Sequence, residues 1–419
     1  MADRMLVAFG KYLKILRDRR KMSLTDVVTL TKSYPEPVGK GYLSRVERGL
    51  ARVGFSKMVA LSRAYEVSLD ALGEKLALDL EVDTLKNAPN TNGKTFGELM
   101  DEGVAFNQRG MRWHCYASIR DALPRASTDS LHTGYRDRDE QVVRATLSHG
   151  TAACATARYS LALSEFEFVR GNLDALSAET LPIVFQQSAV AKRHLGAMDE
   201  ALAFADRSIE LAKLAPERKQ LGNALESRAL LASQLGDHAV AISVLQEAFA
   251  AYKASGSELD CARTLGNLGN SYLDVRRLKA ARRACVASDR LATQLGADSI
   301  RARARLLLGE IEAADGNARK ASAFWHDALD IARRTRDTVV HFKAEFQLFK
   351  LTIEERNTTA TQALGRRLNR MAPWVSRSEP EVVEFLRLYA IHRKPKQRGV
   401  AALQQDGLGS RNPESAKRL

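Results

Sequence analysis

A forty-residue repeat of small residues constrains the fold of this chain more than any other feature. Alanine recurs at intervals of forty residues, at Ala201, Ala241, Ala281 and Ala321. Five positions before these alanines stand Gly196, Gly236, Arg276 and Gly316. Small side chains at fixed phases let two helices cross closely, and glycine permits a tight turn between them. The repeat therefore predicts a stack of helical hairpins that turn at these four positions.

The repeating unit resembles the tetratricopeptide repeat, for example in NLGNSYLDVRRLKAARRACVASDRLA, which begins at Asn267. The usual unit has about 34 residues, so a forty-residue unit implies longer helices around the same turn. The resemblance implies an all-α fold in which the hairpins form a right-handed superhelix, and we expect it to span residues 96–391. Such an array has a concave groove that binds peptides or partner helices.

In the first eighty residues, the pattern consists of short amphipathic segments. Leu6, Phe9, Leu13 and Leu16 recur at spacings of three and four, which predicts an amphipathic helix with Lys11, Lys14 and Arg17 on its polar face. Ser23 is a candidate N-cap for a second helix with Val27 and Leu30 turned inward. Glycines and prolines interrupt the pattern before Lys40, and two further helices follow Phe55 and Ser68. Five short helices predict a compact all-α domain.

Three stretches of this region, LRDRRKMSL, YLSRVERG and MVALSRAYEVSLDALG, resemble the phage-repressor-like (XRE/Cro) helix-turn-helix family over about seventy residues. The resemblance implies that the helix beginning near Lys40 enters the major groove of DNA. Its reading face would carry Lys40, Gly41, Ser44 and Arg45, with Tyr42 and the Ser44 hydroxyl reaching phosphates. Arg45 is the strongest candidate for base reading, because its guanidinium can donate two hydrogen bonds to guanine.

Two departures from that family concern the approach to the reading helix. Members usually have glutamine at the start of the second helix as a phosphate contact, whereas this chain has Leu24, so Ser23 or Thr25 would supply that contact. The turn is also about five residues longer, with SYPEP before the reading helix. A longer turn costs little closure entropy.

The net charge of +14 is compatible with a nucleic acid partner, and equally with an anionic membrane surface or with a role in solubility alone. Residues 1–80 hold 15 basic and 9 acidic side chains, and residues 393–419 hold 7 and 2, so the excess is expected at the two ends of the chain. A basic N-terminal domain is typical of a protein that binds the phosphate backbone. We expect a DNA-binding domain over 1–82, a linker over 83–95 and a basic, disordered tail over 392–419.

The order of helix-turn-helix and repeats resembles the peptide-sensing regulators of the Rgg, PlcR and PrgX group. In that group, asparagines of the repeats clamp the backbone of a short signalling peptide. The resemblance assigns this role first to Asn267, and then to Asn223, Asn270 and Gln187. A carboxamide can both donate to a peptide carbonyl and accept from an amide. An asparagine that bonds only within its own repeat is the alternative.

The sequence offers no signal for catalysis, for a metal or for a cofactor. Its four cysteines have no CxxC spacing, and we expect them to be reduced and buried. No apolar run is long enough for a membrane span. The chain is thus predicted to be a cytoplasmic, nucleoid-associated homodimer that binds an operator in double-stranded DNA and senses an effector. The alternative is a scaffold whose repeats hold a partner protein and which the helix-turn-helix locates on DNA.

Overall fold

The computed structural model describes residues 4–85, 87–109, 111–132, 135–335, 337–375 and 380–392, and these ranges contain helices and no strand. The α-helices are α1 (Arg4–Arg19), α2 (Leu24–Thr31), α3 (Lys40–Glu47), α4 (Phe55–Ala64), α5 (Leu69–Asp83), α6 (Phe96–Gln108), α7 (Arg112–Ala122), α8 (Arg138–Ala155), α9 (Tyr159–Arg170), α10 (Leu181–His194), α11 (Met198–Leu214), α12 (Arg218–Gln234), α13 (His238–Ala254), α14 (Glu258–Asp274), α15 (Leu278–Gln294), α16 (Asp298–Ala314), α17 (Ala318–Thr335), α18 (Thr338–Glu354), α19 (Thr358–Met371) and α20 (Pro380–His392). The predicted all-α class is confirmed.

The chain divides into two compact units, 1–275 and 276–419. The first unit contains α1 to α14 and the second contains α15 to α20. The basic tail predicted for 392–419 lies, apart from His392, outside the described residues.

The five N-terminal helices form around a shared apolar interior. Phe9, Leu13 and Leu16 of α1 are buried, as their spacing predicts, together with Val27 and Leu43 of α2 and α3. Ser23 caps α2, and Ser68 caps α5 by accepting a hydrogen bond from the amide of Ala71. Helix α5 continues to Asp83, seven residues beyond the predicted segment, because Leu78 and Val82 extend its buried face.

Two side-chain placements differ from the sequence prediction. Leu30 was expected to face inward, but it is 51% exposed, and Thr31 is the buried residue at the end of α2. Its hydroxyl donates to the carbonyl oxygen of Val27 and accepts from the amide of Val38, so a polar residue joins the two ends of the long turn. Arg17 was expected on the solvent face, but its side chain is only 12% exposed because it pairs with Glu47.

The five N-terminal helices share one hydrophobic core with the helices that follow. Leu13, Leu72 and Leu78 belong to the same buried cluster as Leu161 and Phe166 of α9. Helix α5 packs against α7 and α9 as well as against α1 and α4. Within the first unit, the five N-terminal helices are therefore packed directly against the helices that follow.

Within the first unit, α10 packs against α11 and α12 packs against α13, as in helical hairpins. The turns fall at Gly196 and Gly236, whose φ angles of +80° and +82° lie in the left-handed region that favours glycine. Ala201 and Ala241 are fully buried, which explains why these phases require small residues.

The second unit repeats the same construction. Helix α16 packs against α17, α18 packs against α19, and Gly316 turns with a φ of +82°. At Arg276, where glycine is replaced, the backbone still takes a left-handed φ of +56°. A side chain at Gly309 would collide with Trp325, since an added Cβ would lie 2.3 Å from its Nε1 atom.

The net charge changes sign along the chain in a way that the end-weighted prediction did not anticipate. Residues 81–275 hold 20 basic and 25 acidic side chains, whereas 276–392 hold 22 and 14. The small net charge between the ends therefore conceals an acidic stretch followed by a basic one. The expectation that the basic excess lies only at the two ends is wrong.

Candidate DNA-reading helix and repeat groove

Helix α3 has one buried face and one exposed face. Leu43 and Val46 point into the core with 0% and 1% exposure. Lys40, Gly41 and Arg45 are exposed on the opposite side. Ser44 and Tyr42 are half-buried beside them. The residues predicted to read DNA thus share the accessible side of α3, opposite the two buried residues.

The end of α3 lies very close to α1, and two glycines make this approach feasible. A Cβ atom at Gly10 would lie 2.1 Å from the carbonyl oxygen of Val46. Gly49 has a φ of +72°, and a Cβ there would lie 2.6 Å from the Cα atom of Val7. Glycine at 49 therefore ends the reading helix and also removes a steric barrier to packing against α1.

An ion pair that sequence reasoning missed fixes α3 to α1. The Arg17 guanidinium donates from Nε to Oε1 of Glu47 at 2.7 Å and from Nη2 to Oε2 at 2.9 Å. Arg17 Nη1 also donates to the carbonyl oxygen of Met22 at 2.9 Å. The hydrogen bond to Glu47 raises the pKa of Arg17. Glu47 therefore positions α3 against α1.

The long turn that leads into α3 is tied down at both ends. The Thr31 hydroxyl holds the amide of Val38 at 3.2 Å. Glu36, within the SYPEP stretch, lies 3.5 Å from the ammonium group of Lys57 on α4. The inserted residues therefore rest against α2 and α4.

The other predicted phosphate contacts are placed as follows. The Tyr42 hydroxyl donates to the carbonyl oxygen of Arg52 at 2.7 Å, so it braces the segment after α3. Ser23 forms a capping box with Asp26, in which the Ser23 hydroxyl accepts from the Asp26 amide. In return the Ser23 backbone amide donates to the Asp26 carboxylate at 2.7 Å, and hydrogen bonding from Ser23 lowers the pKa of Asp26. Thr25 is exposed in the first turn of α2.

A polar cluster around Glu226 lies between α12, α13 and α14. Glu226 is 7% exposed and accepts hydrogen bonds from Arg263 at 2.7 Å, from Asn267 at 2.7 Å and from the Tyr252 hydroxyl at 3.0 Å. The Tyr252 hydroxyl also lies 2.8 Å from Oδ1 of Asn223. Burial, together with the Glu226 charge, raises the pKa of Tyr252. We call these five residues the Glu226 cluster.

The structure brings together only some of the predicted effector residues. Asn267 and Asn223 both belong to the Glu226 cluster, whereas Asn270 is exposed and donates to Asp274 at 3.3 Å. Gln187 is half-buried and outside the cluster, but its neighbour Gln186 donates to the Ser227 hydroxyl at 3.2 Å. Gln186 stands forty residues before Glu226, so the repeat period itself could have identified it.

Other chemistries find no support in the part of the chain that the structure describes. It holds no group of three or more His, Cys, Asp and Glu residues arranged to bind a metal ion. No helix there has the length and apolar character to cross a membrane. All four cysteines are buried and unpaired, as expected. Burial raises the pKa of Cys115 to about 11.

Two family profiles match the chain. Residues 8–74 match a family described as a helix-turn-helix domain, and residues 183–254 match the tetratricopeptide repeat. These ranges cover α1 to α4 with the start of α5, and most of α10 to α13. The chain therefore carries a helix-turn-helix domain followed by tetratricopeptide repeats, as its sequence predicted. Neither matched family is a family of enzymes. No curated protein sequence matches the chain.

Several solved structures are similar at low sequence identity. The apo form of RapI is 9% identical, with a TM-score of 0.51, over 71% of this chain and 81% of its own. Bacillus thuringiensis PlcR, crystallised with the peptide PapR7 and DNA, is 11% identical with a TM-score of 0.42, over 72% and 99%. Aspartyl phosphate phosphatase F from Bacillus subtilis is 12% identical with a TM-score of 0.47, over 98% and 97%. The likeness to RapI shows a shared helical repeat fold.

Proposed function

We propose that this protein is a sequence-specific transcriptional regulator that reads an operator with α3 and senses a short peptide with its repeats. Residues 1–82 form the DNA-binding domain, 83–95 the connection, and 96–391 the part that binds the effector and forms a homodimer. The protein acts in the cytoplasm on the nucleoid and has no catalytic role.

The exposed face of α3 carries this proposal. Arg45 is exposed, and no ion pair or side-chain hydrogen bond engages it among the described residues. Its helix is held from behind by the Arg17–Glu47 pair and by two close glycine contacts. The held helix presents Arg45 at a defined position, and the unengaged guanidinium is available to donate two hydrogen bonds to guanine.

The DNA-binding proposal is tested by measuring affinity for operator fragments that the protein recovers from genomic DNA. Arg45→Ala should weaken binding by about 1 to 3 kcal/mol and relax the preference at one base position. Arg290→Ala, which removes one exposed positive charge from α15, is the matched control and should leave the sequence preference unchanged. Equal affinity of the wild-type protein for operator and scrambled DNA would exclude sequence-specific regulation.

The Glu226 cluster is the proposed peptide-binding site. The amide nitrogen of Asn267 is fixed by Glu226 at 2.7 Å, whereas its Oδ1 atom makes no hydrogen bond to the described residues. A carboxamide held at one end presents its oxygen in a defined position, where it can accept from the backbone amide of a peptide. Arg263, with its side chain 36% exposed, can contact a peptide carbonyl or carboxylate beside it. The cluster is also internally bonded, so binding does not require it to assemble.

Calorimetry with short synthetic peptides tests this assignment. Asn267→Ala should weaken peptide binding, whereas Asn270→Ala should not, because Asn270 bonds to Asp274 outside the Glu226 cluster. Recovery of a folded protein partner, with no peptide bound by the wild-type chain, would instead support the scaffold function. Light scattering in solution tests the homodimer, and a monomer at the concentrations that saturate the operator would exclude it.

A further inference from the structure

A buried acidic residue on α9 receives two side chains from α1. Glu165 on α9 has no exposed surface. The Tyr12 hydroxyl donates to its Oε1 at 2.6 Å, and Arg19 Nη2 donates to its Oε2 at 2.9 Å. The same Arg19 nitrogen lies 2.9 Å from the Thr146 hydroxyl of α8. The guanidinium also stacks over the Phe168 ring at 4.3 Å. Helix α1 is therefore attached to both α8 and α9.

A second set of charges attaches α5 to α7. Lys75 and Asp79 form a fully buried ion pair on α5. Arg120 of α7 lies 3.9 Å from Asp79 and donates to Asp83 at 3.2 Å. Neighbouring Asp121 and the carboxylates of α5 raise the pKa of Arg120 against the opposing effect of burial.

A third set joins α5 to the start of α9. Arg158 donates to both carboxylate oxygens of Glu81 at 2.7 Å. The amide of Leu161 donates to Glu74 at 2.8 Å. The three sets together join α1 and α5, of the five N-terminal helices, to the helices that follow. The boundary that they cross is called the junction. We call them the junction contacts.

The buried carboxylate of Glu165 specifies one relative orientation, because its partners Tyr12 and Arg19 come from another helix. Removing a carboxylate from water is costly unless an opposite charge and hydrogen-bond donors replace the water. If α1 slid along α9 while the junction stayed closed, Glu165 would lose Arg19 and Tyr12 together and remain buried without them. The hydrophobic effect itself has no direction, whereas a hydrogen bond to a carboxylate does. The contacts of Glu165 therefore add a directional restraint to the apolar packing of the junction.

We infer that Glu165 is a positioning residue that fixes α1, and through α1 the reading helix α3, onto α8 and α9 of the repeat region. The path is short, because Arg17, which holds Glu47 of α3, stands two residues before Arg19 on the same helix. A displacement of α9 would therefore move α1, and with α1 the exposed face of α3. This inference rests on the proposed function only where DNA is concerned.

Hydrogen exchange on the full-length protein tests the junction without DNA. Glu165→Gln keeps the shape of the side chain but removes its charge, and Tyr12→Phe removes one hydrogen bond and is the milder variant. Both should speed exchange in α1 and α5, by about tenfold or more for Glu165→Gln, without affecting α12 and α13. The matched control is Glu140→Gln, which removes a buried carboxylate of the first turn of α8 that pairs with Arg136, two residues before that helix. Unchanged exchange in α1 and α5 of Glu165→Gln would overturn the inference.

Operator variants with altered half-site spacing provide the second readout. A dimer with fixed reading helices should accept one spacing, because half-sites must present the same face of the duplex. Glu165→Gln and Tyr12→Phe should bind a wider range of spacings, whereas Glu140→Gln should keep the wild-type preference even if its melting temperature falls equally. An unchanged spacing preference in Glu165→Gln would overturn the positioning role. If no variant binds DNA, the proposed function fails, and the exchange result still decides whether Glu165 holds the junction.

Discussion

The ion pair between Arg17 and Glu47 should determine how firmly the reading helix is held. Both side chains are nearly buried, at 12% and 8% exposure, and two hydrogen bonds of 2.7 and 2.9 Å join them. Removing one partner of a buried pair typically costs 3 to 5 kcal/mol, since the other charge is left unpaired. Some exposure remains, and Asp18 also lies 3.0 Å from Arg17 Nη1, so we expect Glu47→Gln to cost the lower end of this range, about 3 kcal/mol, in the free energy of local opening of α1 and α3.

Hydrogen exchange is the suitable assay, because a chain of this length with two units does not unfold in a single two-state transition. A loss of about 3 kcal/mol corresponds to roughly hundredfold faster exchange in α3. Arg48→Gln, a change at the exposed neighbour, is the control and should alter exchange by less than about threefold. The double variant Arg17→Met with Glu47→Met should regain much of the loss, because no unpaired charge remains. Equal exchange in Glu47→Gln and Arg48→Gln would refute this reasoning.

Three further results are expected. Gly49→Ala should destabilise the N-terminal helices by at least about 2 kcal/mol, because a left-handed φ is unfavourable for alanine and its Cβ would approach Val7; thermal shift measures this. Burial raises the pKa of Glu310 from 4.5 to about 6, so the folded chain binds its proton more tightly and loses stability as pH rises through that interval. Glu310→Gln, which can keep the bond from Gln347, should gain about 2 kcal/mol at pH 7 relative to pH 4 in a pH series of melting curves. Burial raises the pKa of Cys285 to about 12, so iodoacetamide at pH 8 should modify it only after denaturant is added.

The features that could be predicted from the sequence are those that produce a regular spacing of residue types along the chain. Where two helices cross closely, each repeat needs a small residue at the equivalent position. The forty-residue spacing of Ala201 and Ala241 therefore predicts that both are buried at helix contacts, and both are. The turn at Gly236 is visible for the same reason, since a left-handed backbone favours glycine. The reading helix could be placed because Leu43 and Val46 are separated by one helical turn, which fixes the exposed side.

The features that could not be predicted join residues that are distant in sequence. Arg17 and Glu47 lie thirty residues apart, and Tyr12 and Glu165 lie 153 apart. Arg17, Glu47 and Glu165 are of residue types that usually lie solvated at the surface, and no local pattern distinguishes that position from pairing in a core. Tyr12 falls in the apolar phase of α1, but its spacing does not identify its partner. Leu30 shows the converse, because a residue that was expected in the core is exposed. Its neighbour Thr31 is buried instead, where its hydroxyl accepts a hydrogen bond from the amide of Val38 at the end of the long turn.

The proposed DNA and peptide sites lie in the same unit, and α9 and α10 connect them. Helix α9 carries Glu165, which holds α1, and Arg170, which donates to the Ser188 hydroxyl of α10 at 2.9 Å. Helix α10 in turn carries Gln186, which donates to Ser227 beside the Glu226 cluster. A peptide that shifts α12 relative to α10 therefore acts on the helix that positions α1. Linkage requires the reverse as well, so operator binding should change peptide affinity by the factor by which peptide changes operator affinity. In Glu165→Gln, the effect of peptide on operator affinity and the effect of operator on peptide affinity should both approach a factor of one. Peptide affinity for the DNA-free protein should stay unchanged. A purely local defect in DNA binding would not produce this combination.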